Sequence, residues 1–446
     1  MSPFVRAAVC SLILAAGAAA QDLTIAAPPQ SGPIAIVGGM IHTGADGVIE
    51  GGYLLIEDGM ITEIGEEAPD FGRGTRMIDA AGLHIYPGLI YPYSQLGNTE
   101  IGSLPDTQDS NETGDMTPEV RAAVSVNPDS TLIPVARTNG ILIAGSFPTG
   151  GTIPGRASVL QLDGWTWEDM AVDDAAGLVI SWPGGGGGRF RFFRGGGGGG
   201  GSSFERIEQI DEFFDTAEAY FAVRAEDATA PEDLRFEAMR DIMAGAQDQE
   251  PVFVMADDVE QIQQSVTWAI GRGLKPVIVG GQDAALVSSL LVEHDVPVIV
   301  QGTHGFPKRA DSPYDDRYAL PARLEAAGIT WCLSGSDRGG NERNLPQEAG
   351  MAVAFGLDED AAIRGMTINA ARALGVADRL GTIEPGKDAT IIITDGSPIQ
   401  VRTTVQRAFI AGREIDLSNK QTALRDKYRE KYRQLGIIEG ASEGGR

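Results

Sequence analysis

Through the middle of the chain, short apolar runs alternate with helix-like stretches, and this alternation constrains the fold more than any other feature. PVFVMA (251–256) is followed by DDVEQIQQSVTWAIGRG, and KPVIVGG by DAALVSSLLVEHD. VPVIVQG, ARLEAAG, ITWCLSG and EAGMAVAFGL continue the series. Runs this rich in Val and Ile suit strands covered on both faces, and amphipathic helices supply the cover. The pattern predicts parallel βα units. The span 87–375 suits a (β/α)8 TIM-type barrel of roughly 250 residues with insertions. Chemistry in such a barrel gathers at the C-terminal strand ends, so the residues just beyond each apolar run are the candidates.

The two ends of the chain read differently. Residues 21–86 carry IAIVGGMIHTG, GGYLLIEDGMITEIG and TRMIDAAGLHIYPG, short β-type runs bounded by Gly-Gly, Asp-Gly and Ala-Gly turns. Residues 376–418 repeat this texture in GTIEPGKDATIIITDGSP and VQRAFIAGREI. Neither end has enough strands for its own core, so the two are expected to pair into one small β-sandwich, with the barrel inserted between them. The tail, 419–446, places Leu424, Tyr428, Tyr432 and Leu435 at helical spacing and predicts a helix packed on the body by one face. Residues 184–201, GGGGGRFRFFRGGGGGGG, are too glycine-rich to hold one backbone conformation and predict a mobile loop.

Residues 1–20 have the form of a secretory signal peptide: Arg6, then an apolar run, then Ala18-Ala19-Ala20 as a cleavage site. An exported, periplasmic or secreted location is expected. No apolar run approaches the ~20 residues of a membrane span. Cleavage would remove Cys10 and leave Cys332 alone, which rules out an internal disulfide and a cysteine-rich metal site. The formal charge of −27 argues against nucleic acid and anionic membranes as partners.

Several segments together resemble the amidohydrolase superfamily, near its exported imidazolonepropionase-like branch. They are GGMIHTG, IEDGMITEIG, IDAAGLHIYPGLI, GGTIPGRASVLQLDGWTWEDM, NLPQEAGMAVAFGLDEDAAIRGMTINAARALGV and GTIEPGKDATIII. The resemblance implies hydrolysis of non-peptide C–N bonds by one or two divalent metals, which polarise the scissile group and lower the pKa of bound water. It also implies a ligand set: His-x-His after strand 1, a carboxylated Lys or Glu after strand 4, a His after each of strands 5 and 6, and an Asp after strand 8.

Carried over position by position, that set is largely replaced. The His-x-His slot falls on Tyr93 and Gln95, and the Asp before it on Tyr91. The strand 5 His falls on Met255, and the strand 6 His on Gly280 or Gly281. No strand 4 Lys is found. Asp337, in CLSGSDRGG, matches the strand 8 Asp. The chain has four histidines: His42, His84, His294 and His304. Only His304 follows a barrel-type run, so the usual binuclear site cannot be built from these residues. Zinc would require a non-standard ligand set, for which Glu100, shortly after the first barrel strand, is a candidate carboxylate.

Two functions remain open. One is a divergent hydrolase with Asp337 and His304 as acid and base, and with Tyr93, Gln95 and Arg338 orienting the substrate. Each of these residues also has a plainer reading: His304 as a loop histidine, Asp337 as a turn cap, and Tyr93 and Gln95 as filling for the cavity a metal would occupy. Asp257 and Asp258 suit the start of the next helix. The other function is a non-catalytic homologue that binds a small ligand, forms a homo-oligomer or pairs with a metal-bearing relative.

Overall fold

The computed structural model describes residues 25–45, 47–184, 202–245, 249–335 and 340–438. The expected signal peptide, nearly all of the glycine-rich loop, and both Asp337 and Arg338 lie outside the described residues.

Both chain ends enter one connected sheet. From the front come β1 (Ile34–His42), β2 (Val48–Glu57), β3 (Met60–Gly65), β4 (Arg76–Asp79) and β5 (His84–Pro87). From the back come β14 (Ile391–Thr394), β15 (Val405–Ile410) and β16 (Arg413–Glu414). The join is β14 antiparallel to β5, with Ile391 opposite Pro87 and Thr394 opposite His84. The sheet runs β16-β15-β14-β5-β1-β2-β3, and β4 pairs with the first half of β1. Ile36, Ile41, Leu54, Ile56, Ile85, Ile391 and Phe409 converge in a single core, so residues from both ends share one hydrophobic interior. On the same sheet, the half-buried His42 and His84 rings are stacked, and their Nε2 and Nδ1 atoms lie 3.0 Å apart.

The second sheet has the order β13-β12-β11-β10-β9-β8-β7-β6. Its strands are β6 (Leu89–Ser94), β7 (Ile141–Ser146), β8 (Gly155–Gln161), β9 (Ala171–Ser181), β10 (Val252–Ala256), β11 (Pro276–Gly280), β12 (Val298–Gln301) and β13 (Trp331–Ser334). It is nearly closed: β13 lies beside β6, and the Ser334 hydroxyl donates to the Tyr93 carbonyl at 2.9 Å. The expected eightfold βα repeat needs one correction, because β8 is antiparallel to both β7 and β9. A parallel return requires a crossover of roughly a dozen residues or more, and the connections 147–154 and 162–170 are too short for one.

Alternate strand residues fill the barrel: Ile90, Ile143, Val159, Val179, Phe253, Val277, Val279, Ile299 and Cys332. Ala370, Ala371, Leu374 and Leu380, in and after the helix Ile368–Ala373, pack into the same core. Cys332 is enclosed there, and burial pushes its thiol up. The tail helix, Lys420–Gln434, does not pack as expected: none of its residues is buried.

A buried ion triad ties the barrel to the composite sheet. Arg137 Nη1 donates to Asp163 Oδ1 at 2.9 Å and Arg413 Nη1 to Asp163 Oδ2 at 2.8 Å, while the Ala27 amide also reaches Oδ2. Removing the charge of Asp163 strands the enclosed Arg137 guanidinium and the partly buried one of Arg413, and breaking a buried pair of this kind costs about 3–5 kcal/mol. Asp163→Asn is therefore expected to lower the urea midpoint by an amount equivalent to about 3 kcal/mol or more. A change of under about 1 kcal/mol would mean that the triad does not hold the two sheets together.

Candidate functional site

The mouth of the barrel is shaped by a backbone irregularity in β6. The pairing of β6 with β7 slips between Tyr91 and Ser94, so the usual alternation breaks. Tyr91 packs into the outer core and Tyr93 into the barrel interior. Gly145 makes this possible: a Cβ there would lie 2.3 Å from the Pro92 carbonyl oxygen. The Phe147 amide then donates to the Ser94 carbonyl at 3.0 Å, which brings the Phe147 ring over the interior.

Phe147 lies between two other rings, with its centroid 5.0 Å from Tyr93 and 5.0 Å from Phe253. Tyr93 is 3% exposed, and the two phenylalanines not at all. Met255, at the end of β10, packs against the same cluster. The interior positions that the resemblance would give to metal ligands thus hold aromatic and thioether groups. Gln95 faces a local turn instead, where its Oε1 accepts from the Thr99 hydroxyl at 3.4 Å.

The polar groups around this plug are engaged with the framework. The Ser94 hydroxyl donates to Glu342 Oε1 at 3.2 Å, and Glu342 Oε2 accepts the Gly340 amide at 2.8 Å. Burial raises the Glu342 pKa, opposed by those backbone and hydroxyl donors. Glu348, also buried, takes the Thr303 amide at 2.7 Å and lies 3.8 Å from His304 Nδ1. The His304 side chain is 48% exposed and makes an edge contact with Tyr318. Its contacts given by the described residues run to Glu348 and Tyr318.

A second polar group closes the ends of β10 and β11. Asp258 occupies the cap position of the helix Val259–Gly271, as its sequence context predicts, with its amide donating to Gln261 Oε1 at 3.2 Å. Lys308 Nζ donates to the Asp257 carbonyl at 3.0 Å and to Asp283 Oδ2 at 2.8 Å, and it also pairs with Asp258. Arg309 grips both Asp283 oxygens, at 3.0 and 3.1 Å. The Asp257 side chain is enclosed, and its Oδ1 has no hydrogen-bond partner among the described residues. A Cβ on Gly280 would lie 2.5 Å from that oxygen, so it is packed against backbone with no open space before it. Burial pushes this carboxyl up as well, against the nearby Lys308 charge.

Open space begins beside the plug. A cavity of about 390 Å³ lies between the segment after β6 and the exit of β7, lined by Asn98, Asp109, Glu112, Glu119, Arg121 and Phe147. Its one guanidinium is committed to Asp174. The Asn98 amide is pinned by the Ala122 carbonyl and the Ser125 hydroxyl, and its oxygen accepts from Ser146. Sequence reasoning missed this cavity, along with Phe147, Glu342 and Lys308. Glu342 and Lys308 stand next to runs that were recognised, but their pairing depends on loop geometry.

Among the described residues, no group of three or more His, Cys, Asp and Glu side chains is placed to hold a metal ion. The Glu100 Oε1 is buried without a partner among those residues and belongs to no such group of three. The donors present at the described strand ends do not fit the metal centre that the resemblance implies. No helix among them is long and apolar enough to cross a membrane.

Comparison with known proteins agrees with this architecture. Residues 220–422 match the model of the Amidohydrolase family, a stretch running from the helix Ser203–Glu226 through β10–β13 into the returning strands. The chain is 24% identical over 404 residues to the amidohydrolase tasK of Hapsidospora irregularis, covering 81% of this chain but 39% of that protein. It is 30% identical over 149 residues to an imidazolonepropionase of Brucella anthropi, covering 32% of this chain and 35% of that one. The chain thus spans well under half the length of either relative. Among solved structures, an amidohydrolase from Thermotoga maritima superposes with a TM-score of 0.77 at 24% identity, over 86% of this chain and 99% of that one. Molinate hydrolase superposes with a TM-score of 0.53 at 19% identity, over 88% and 96%. The fold is the one these amidohydrolase structures share.

Proposed function

We propose that this chain is an amidohydrolase-superfamily protein whose barrel binds a small ligand and does not carry out metal-assisted hydrolysis. The observation that carries this reading is the Tyr93–Phe147–Phe253 ring cluster, tilted and edge-to-face, which occupies the interior beneath the strand ends. A hydrolytic centre needs ligands with an open coordination position for water, and buried aromatic rings supply neither. The ligand site is the cavity beside Phe147. Its three carboxylates face one guanidinium that is already paired, so a ligand with a protonated amine or amidine suits it.

Thermal-shift screening with small amines, amidines and cyclic amides should yield a stabilising ligand. Glu119→Gln should weaken its affinity about tenfold. Turnover of an amide by the purified protein, abolished by a chelator, would defeat the proposal.

A hydrolase of non-peptide C–N bonds is the second reading. It is favoured by the buried carboxyls with raised pKa, since such groups collect at active sites. Their contacts favour a structural role, which has its own pH signature. Burial raises the Glu342 pKa in the folded state above the ordinary carboxyl value of 4.5, so it favours the folded state while protonated. That contribution is present below about 4.5 and is lost as pH rises through the higher folded value. Glu342→Gln should therefore flatten the decline in stability as pH is raised from about 4.5 towards neutrality. An unchanged stability-against-pH curve would show that the Glu342 charge carries no folding cost.

A further inference from the structure

The His42–His84 pair sits where the two ends of the chain are joined. His42 closes β1 and His84 opens β5, and these strands run parallel over only two residue pairs, Met40 with His84 and Ile41 with Ile85. That short ladder matters because β5 is the strand through which the front of the chain meets the back. Ile41 and Ile85 belong to the core of the composite sheet, so strand alternation puts His42, His84 and Tyr86 on its other face. There Tyr86 joins the outer core of the barrel. The three rings lie nearly parallel, with the His42 centroid 4.1 Å from that of Tyr86 and 5.3 Å from that of His84.

Nε2 of His42 and Nδ1 of His84 lie 3.0 Å apart, a contact that needs one nitrogen with a proton and one without. Neutral rings satisfy it, and so does a pair carrying one added proton. A second added proton leaves two N–H groups pointing at each other, and the contact fails. Burial and then the charge of His84 push His42 down to about 4, while Asp360 and Glu359 pull the other way. Those carboxylates stand in the first turn of the helix Glu359–Gly365, which packs against β13 and so belongs to the barrel. Val48 and Thr394, opposite the two histidines on β2 and β14, carry no charge. Tyr86 is pushed up to about 12, chiefly by burial, and stays neutral. His42 thus has one partner on the sheet while neutral and others on the barrel once protonated.

We propose that the His42–His84 pair is an acid-sensitive latch, which pins β1 to β5 at neutral pH and is released by a second added proton that turns His42 towards Asp360 and Glu359. Neutral His42 favours the folded sheet, so this support is complete above the ordinary histidine value of 6.5 and is lost as pH falls towards about 4. The latch is independent of whether the barrel binds or hydrolyses.

Imidazole nitrogen NMR of the untagged full chain, titrated from about pH 7.5 to about pH 3.5 alongside amide hydrogen exchange, tests it. One ring of the pair should take its proton only below about pH 5. In that same step the amides of Met40, Ile41 and Ile85 should lose protection at least about tenfold relative to an unstructured chain. His42→Asn and His84→Asn should each remove the step. Glu359→Gln/Asp360→Asn, at exposed positions, should move it to lower pH, because the charges that favour a proton on His42 are gone. Both rings protonating together near the ordinary histidine value would overturn the proposal without recourse to any variant. So would a loss of protection that persists in both asparagine variants, or a step that the carboxylate variant leaves in place.

Discussion

The packing of Phe147 between Tyr93 and Phe253 decides what this barrel can hold. It depends on two residues that do no chemistry. Gly145 leaves room for the Pro92 carbonyl, and the irregularity this permits turns Tyr93 inward while Tyr91 stays outside. Once both strand exits are locked by the Phe147 amide on the Ser94 carbonyl, the interior is closed by rings. Barrels of this kind are packed cores whose chemistry lies in the residues above them. Here the packing rises to the level of the strand ends.

The polar groups around the mouth follow from that packing. Ser94, Glu342 and Gly340 form one closed network, and Thr303 with Glu348 another. Lys308 and Arg309 draw the segment after β12 down onto Asp283 and Asp258. The buried carboxylates of Glu342, Glu348 and Asp283 are thus held by backbone amides, hydroxyls or cations, whereas Asp257 Oδ1 and Glu100 Oε1 have no hydrogen-bond partner among the described residues. What is left open is the polar cavity beside Phe147, and it lies to one side of the barrel interior.

The fold was legible where periodicity and length agree. The runs PVFVMA, KPVIVGG, VPVIVQG and ITWCLSG became β10 to β13, because Val- and Ile-rich segments between helices bury both faces. The pairing of the two chain ends followed from strands that lacked partners. The hairpin through β8 was not read, although its short connections are visible in the sequence. The tail was expected to pack a helix on the body by one face, whereas the helix Lys420–Gln434 has no buried residue, because spacing along a chain does not say what an apolar stripe meets. At the site, the sequence offered Tyr93, Gln95 and Met255 as the residues standing where the resemblance implies metal ligands. The inward turn of Tyr93 was not legible there, since it rests on a carbonyl packed against Gly145.

The account is tested most directly by the metal content of the protein, purified without chelator and without a histidine tag and measured by elemental analysis. An aromatic plug in place of ligands predicts well under one equivalent of zinc, manganese, iron or nickel in a folded sample, with no gain in thermal stability when these ions are added. One or two tightly held equivalents that resist dialysis would contradict it, and would require a ligand set drawn from residues other than those that close the barrel.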